Sequence, residues 1–120
     1  MSEIRELQEK SCKPCEGGVK SFSSQEAERY LRHLPEWLPN EDNTAIWKDF
    51  FMKDFRAALA LIQKIGELAE KEAHHPDLHL TNYRKLRIEL STHAIGGLSE
   101  NDFIFASKVE LLPKDLKVKK

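Results

Sequence analysis

Two adjacent histidines, His74 and His75, stand directly before Pro76, with Glu70 four residues upstream of the first and with Thr92-His93 and Asp102 further along the chain. Imidazole is the side chain whose unperturbed pKa, about 6.5, lies nearest neutrality. A set that takes in three of the chain's five histidines therefore points to proton transfer. Metal binding is disfavoured, because neighbouring residues on a helix diverge by about 100° and a useful helical metal clamp has its histidines four apart. A plain alternative exists for one of the pair: a histidine in the last turn of a helix complements the helix dipole. It accounts less well for two in succession.

His93 precedes Gly96-Gly97, a turn whose lack of side chains would let backbone approach a flat ligand closely. Read without function, it is an exposed residue at a strand end. Asp102 lies three residues after Ser99, so the two form a helix capping box whether or not the carboxylate also serves a site. His79 alternates with Leu78 and Leu80 and should point away from the covered face of its strand, and His33 falls in the last turn of a helix.

The elements that would position these groups can be read from periodicity. Ser23 and Glu26 form a capping box before Ala27, Tyr30, Leu31 and Leu34, a first helix stopped by Pro35. Trp37-Leu38 and Thr44 to Phe51 flank the turn-rich Asn40 to Asn43 and read as a hairpin. A long helix starts near Asp54, with Phe55, Ala58, Leu59, Ile62, Ile65, Gly66 and Ala69 as its apolar stripe. It must end by His75, because Pro76 disfavours helical geometry in the residue before it. Leu78 to Asn82 and Leu86 to Leu90 read as a second hairpin bent at Tyr83 to Lys85. Ser99 then caps a last helix carrying Phe105, Ala106, Val109 and Leu112. The order α-β-β-α-β-β-α, with strands joined by short turns, predicts a two-layer α+β domain: a four-stranded antiparallel sheet with helices packed on one face.

Length and composition set the limits. The chain has 120 residues, enough for one core, and the expected division is a flexible N-terminal arm over 1–21, a folded domain over 22–113 and a frayed basic tail over 114–120. With 19 basic and 20 acidic residues there is no positive field to hold nucleic acid. No apolar run reaches the roughly 20 residues of a membrane span, and no signal-peptide block opens the chain, so a cytoplasmic location is expected. Cys12 and Cys15 form a lone C-x-x-C. A structural zinc would need two more ligands, and a redox motif would need a strand before and a helix after it, so both are expected as free thiols.

The full spacing resembles the pterin-4a-carbinolamine dehydratases, also called 4a-hydroxytetrahydrobiopterin dehydratases. Their pattern is a charged residue, three residues, His-His-Pro, five or six residues, an aromatic, nine residues, His, and an Asp at least eight residues on. Glu70, His74-His75-Pro76, Tyr83, His93 and Asp102 fill it, and the likeness runs through Ser91 to Phe103 and covers roughly Phe22 to Leu112. Even the Cys12 to Gly18 lead-in is similar to that of some prokaryotic and plant members. The longer of the two allowed gaps precedes Tyr83, and an extra residue there predicts a bulge near the bend.

The resemblance implies loss of water from a 4a-hydroxytetrahydropterin to give quinonoid dihydropterin, recycling the cofactor of aromatic amino acid hydroxylases, with no metal or organic cofactor. It implies His74, His75 and His93 as the proton-transfer residues and Glu70 and Asp102 as supports, with Glu70 meeting His74 and Asp102 orienting His93. It further implies that His74, His75, Pro76, Tyr83, Thr92, His93, Ala94 and Ile95 surround the pterin, and that the chain forms a homodimer or homotetramer. Alternatives from the same resemblance are a pterin-binding role in molybdopterin or folate metabolism and a protein-binding dimerisation or coactivator module.

Overall fold

The computed structural model describes residues 3–12 and 21–117. The elements run α1 (Glu3–Glu9), α2 (Ser24–Leu31), β1 (Leu38–Pro39), β2 (Ile46–Phe51), α3 (Phe55–Glu72), β3 (Asp77–Thr81), β4 (Lys85–Leu90), a single 3-10 turn (His93–Ile95) and α4 (Glu100–Leu111). The four strands form one antiparallel sheet in the order β1-β2-β4-β3: each hairpin pairs its own two strands, and β2 pairs with β4 to join them.

Alternation along β4 sets the layers. Leu86, Ile88 and Leu90 are fully buried, while Lys85, Arg87 and Glu89 are only partly covered. On the outer face Arg87 forms a two-pronged ion pair with Asp49 of β2 and stacks over the Trp47 ring. The inner face meets the helices in one apolar cluster that includes Ile46, Phe50, Leu61, Ile65, Phe103 and Val109.

The helix starts form as their cap residues dictate. Ser23 and Glu26 make the expected reciprocal box at α2, and Asp54 accepts from Ala57 N at α3. Around α4 burial is continuous from Asn101 to Ser107. The expected stripe of Phe105, Ala106, Val109 and Leu112 describes only one side of α4. On the other side Phe22 and Tyr30 lie against Phe103, with ring centroids at 5.8 and 5.0 Å, and α1 covers the middle of the helix.

Four expectations need correction. The arm over 1–21 contains α1, which buries Leu7 and ties Gln8 to the carbonyl of Ser107, so burial against α4 holds it in place; Cys15 lies outside the described residues. The start of the tail is likewise held: Lys53 N donates to Asp115 O, Lys117 N to Phe51 O, and Leu116 bridges Met52. On α3 the buried line is Ala58, Leu61, Ile65, Ala69 and Glu72, so the stripe is rotated from the one expected, and Phe55 and Leu59 remain 49% and 47% exposed. The extra residue before Tyr83 makes no bulge. Pairing is unbroken from Asp77↔Glu89 to Thr81↔Lys85, and the slack is taken up by Asn82 and Tyr83, both in left-handed geometry in the turn.

Candidate active site

Three connections meet at one end of the sheet: the α3–β3 turn with His74 to Pro76, the segment from Ser91 to Gly97 after β4, and the β1–β2 turn over Asn40 to Ala45. The first is shaped by Ala73, which ends α3 in the left-handed region at φ 55° and ψ 38° with its N–H bound to Ala69 O. That conformation costs a residue with a Cβ roughly 1–2 kcal/mol. It turns the chain so that the two histidines, consecutive in sequence, meet different partners.

His74 turns inward. Its side chain is 10% exposed, and Nε2 lies 2.8 Å from Oδ1 of Asp102, whose side chain is 0% exposed. The second carboxylate oxygen accepts from Thr92 Oγ1 at 2.8 Å and from Ser99 N at 3.0 Å. Asp102 thus completes the capping box of α4, as its spacing from Ser99 predicts, and holds an imidazole from α3 as well. His75 turns outward: its Nε2 sits 2.8 Å from Glu70 Oε2, with the side chains 64% and 80% exposed. Both carboxylates therefore meet a different histidine from the one expected. Glu70 meets His75, because the left-handed Ala73 breaks the helical alignment that would set it under His74. Asp102 meets His74, because its helix start faces the end of α3.

His93 opens the 3-10 turn and is exposed, beside a depression lined also by Asn40, Thr44, Glu89 and Ser91. Asn40 braces that wall by accepting from the N–H groups of Thr44 and Ala45 through Oδ1. Sequence reasoning passed over Asn40, Thr44, Glu89 and Ser91 as lining residues. Their signal was topological, since Ile46 pairs with Leu90 and so sets the β1–β2 turn beside the end of β4.

Thr92 is buried with its hydroxyl on Asp102, and Ala94 is exposed on the 3-10 turn. Pro76 and Ile95 are half-buried. The loop closes by Thr92 N donating to Gly97 O at 2.8 Å. Of the two glycines, Gly97 serves the fold: a Cβ there would stand 2.8 Å from Ser21 Cβ, whereas Gly96 faces open space at φ 65°. Tyr83 is not brought to this cluster. It sits in the β3–β4 turn, at the opposite end of β3 from Pro76, roughly 20 Å away at the rise of a strand. His79 lies exposed on the outer sheet face, its Nε2 3.7 Å from Glu89 Oε1.

Among the described residues no three His, Cys, Asp or Glu side chains group closely enough to hold a metal ion. The arrangement offers one imidazole backed by a buried carboxylate and two more that are exposed, one of which, His93, borders the shallow depression, a set of groups able to give and take protons. None of the helices among the described residues is long and apolar enough to cross a membrane.

A sequence model described as pterin 4 alpha carbinolamine dehydratase matches residues 20–112. A protein of Nitrosomonas eutropha, provisionally named a pterin-4-alpha-carbinolamine dehydratase, is 42% identical over 112 residues, 93% of this chain and 97% of its own. The Arabidopsis thaliana protein named pterin-4-alpha-carbinolamine dehydratase 2, mitochondrial, is 40% identical over 121 residues, covering 98% of this chain and 65% of the plant one. Among solved structures, a protein of Brucella melitensis titled transcriptional coactivator/pterin dehydratase superposes with a TM-score of 0.71 at 29% identity, over 77% of this chain and 97% of that one.

Proposed function

The chain belongs to the pterin 4 alpha carbinolamine dehydratase family, and from that premise we propose that it removes water from a 4a-hydroxytetrahydropterin by histidine acid–base chemistry alone. In this reaction the bond from C4a to its hydroxyl breaks, the oxygen leaves as water after receiving a proton, and the proton on N5 is lost, giving quinonoid dihydropterin. One group must act as acid at the leaving oxygen and another as base at nitrogen. Positioned groups of this kind contribute roughly 10²–10⁴-fold.

The observation that carries the reading is the Asp102–His74 pair at 2.8 Å, with the carboxylate fully buried and the Ser91 to Gly97 loop gathered at the same carboxylate through Thr92. His74, His75 and His93 are the proton-transfer residues in this reading, and the backbone around Pro76 and from Thr92 to Ile95 is the pterin's seat. No metal or organic cofactor enters the reaction. The physiological role is recycling of the pterin cofactor of aromatic amino acid hydroxylases, in the cytoplasm. The test is dehydration of a 4a-carbinolamine by purified protein after exhaustive chelation, followed by ultraviolet absorbance. A rate equal to the uncatalysed one would sink the proposal, and activity lost to chelator and restored by zinc would overturn its metal-free form.

The working unit in this reading is a homodimer or homotetramer. The strand edges at β1 and β3, together with the exposed Phe55 and Leu59 on α3, leave apolar and hydrogen-bonding surface uncovered in a small domain. Sedimentation equilibrium at micromolar concentration decides it, and the mass of a single chain would rule the assembly out.

A further inference from the structure

Thr92 donates its hydroxyl proton to Asp102 Oδ2 across 2.8 Å, and a hydroxyl has only one proton to give. The 2.7 Å contact between Thr92 Oγ1 and Ser99 Oγ must then run the other way, with Ser99 donating to Thr92. Ser99 Oγ in turn accepts from Asn101 N at 3.2 Å. Every direction is fixed: Ser99 to Thr92, Thr92 to Asp102 Oδ2, Ser99 N to the same oxygen, and Oδ1 left as acceptor for His74. An ionised carboxylate only accepts. The contact at Oδ1 therefore requires Nε2 of His74 to carry a hydrogen, and in the neutral imidazole this leaves Nδ1 bare.

From this geometry we infer that Thr92 is a positioning residue: its hydroxyl fixes the rotation of Asp102 and thereby holds His74 in the single tautomer with hydrogen on Nε2. Thr92 itself touches no substrate through its side chain, because that side chain is buried and its hydroxyl is spent within the protein. The physical reason for the device is that a carboxylate held by one backbone N–H alone can pivot, and a pivoting acceptor lets the imidazole move its proton to the other nitrogen. Ser99 N and Thr92 Oγ1 together bind Oδ2 from two sides and leave Oδ1 aimed at α3. Of the charged groups on the two helices that bring the pair together, Glu72 at the end of α3 and Lys108 on α4 bond to each other at 3.1 Å. The consequence for turnover rests on the proposed dehydration; the tautomer does not.

The experiment is nitrogen-15 NMR of the His74 ring in the full chain at about pH 8, for the native protein, Thr92→Val and Thr92→Ser, with dehydration kinetics on the same samples. The native ring should show two widely separated nitrogen shifts, one protonated and one bare. Thr92→Val should draw them together as both tautomers populate, and lower kcat about tenfold with KM nearly unchanged. Thr92→Ser, which keeps the donor, should restore both readouts, a rescue that a packing role would not give. If Thr92→Val does not fold, Thr92→Cys, with its weak S–H donor, reads the same shift. An unchanged pair of shifts in the variant lacking the hydroxyl overturns the inference, and narrowed shifts with unchanged kcat overturn its link to the reaction. A native protein with a single His74 tautomer but no dehydratase activity would refute the proposed function and leave the positioning role standing.

Discussion

Asp102 and His74, 28 positions apart in the chain, share a hydrogen bond of 2.8 Å, and the carboxylate that makes it is closed to solvent. The same carboxylate closes the cap of α4. One side chain thus couples the end of one helix to the start of another, and a change at it separates its two duties.

Asp102→Asn is that change. The amide oxygen can still accept from Thr92 and Ser99, but its NH2 then faces His74 and forces Nε2 to become the acceptor, moving the ring hydrogen to Nδ1. Folding should suffer little, by about 1 kcal/mol. Turnover should fall by roughly 10²–10⁴-fold, since an imidazole in the wrong tautomer presents the wrong nitrogen. Thermal melts and steady-state kinetics on the one variant check both, and a near-native rate would reduce Asp102 to a helix cap.

His75 and His93 are exposed, so their replacement tests chemistry with little interference from folding. His75→Ala and His93→Ala should each lower turnover by roughly one to four orders of magnitude with melting temperatures almost unmoved. Glu70→Gln breaks a pair that is 64% and 80% exposed and should cost well under about 1 kcal/mol. Native rates for either histidine variant would remove that residue from the site.

The sheet and the helices from α2 onward were legible in the sequence because β4 alternates with period two, turn residues separate the strands of each hairpin, and Ser23, Asp54 and Ser99 are visible caps; α1 was missed. The rotation of α3 was not. Phe55, Leu59, Ile62 and Gly66 form one helical line and Ala58, Leu61, Ile65 and Ala69 its neighbour, both mostly apolar, and only contact with the sheet decides which is buried. The placing of His74, His75 and His93 at the ends of elements was legible, and the pairing of the first two was not. Glu70 at four residues before His74 would face it on a continuous helix, but Ala73 departs from helical geometry between them. Nothing in an alanine announces a left-handed backbone. Tyr83 matches by spacing, yet the length of β3 carries it away from the histidines.

Ala73 invites a stabilising substitution. At φ 55° its Cβ costs roughly 1–2 kcal/mol, which glycine avoids, while glycine gives back about 0.4–1 kcal/mol through the entropy of the unfolded chain. Ala73→Gly should therefore raise stability by up to about 1 kcal/mol, readable in urea melts. Lower stability would mean that the Ala73 methyl contributes packing that outweighs the strain.

Glu72, the last residue of α3, governs the N-terminal segment. Burial alone would push its carboxyl up, but the N–H of Cys12 at 2.8 Å and the Lys108 ammonium at 3.1 Å outweigh burial and hold it below its ordinary value. A depressed folded pKa contributes stability that is present above the unfolded value, near 4.5, and lost as pH falls through the folded one. Glu72→Gln should cost about 3 kcal/mol at neutral pH, because Lys108 loses its buried partner, and should flatten the loss of stability on acidification below about pH 4.5. Cys12 reports the local consequence. Burial first, and the Glu72 carboxylate next, push its thiol up to about 12, so at pH 8 only about one thiol in 10⁴ is ionised and alkylation should be slow. In a Cys15→Ser background, where Cys12 alone is titrated, adding Glu72→Gln should speed alkylation by freeing the backbone at Cys12. Cys12 alkylated in the otherwise native chain as fast as free cysteine would show that Glu72 does not hold this segment in solution.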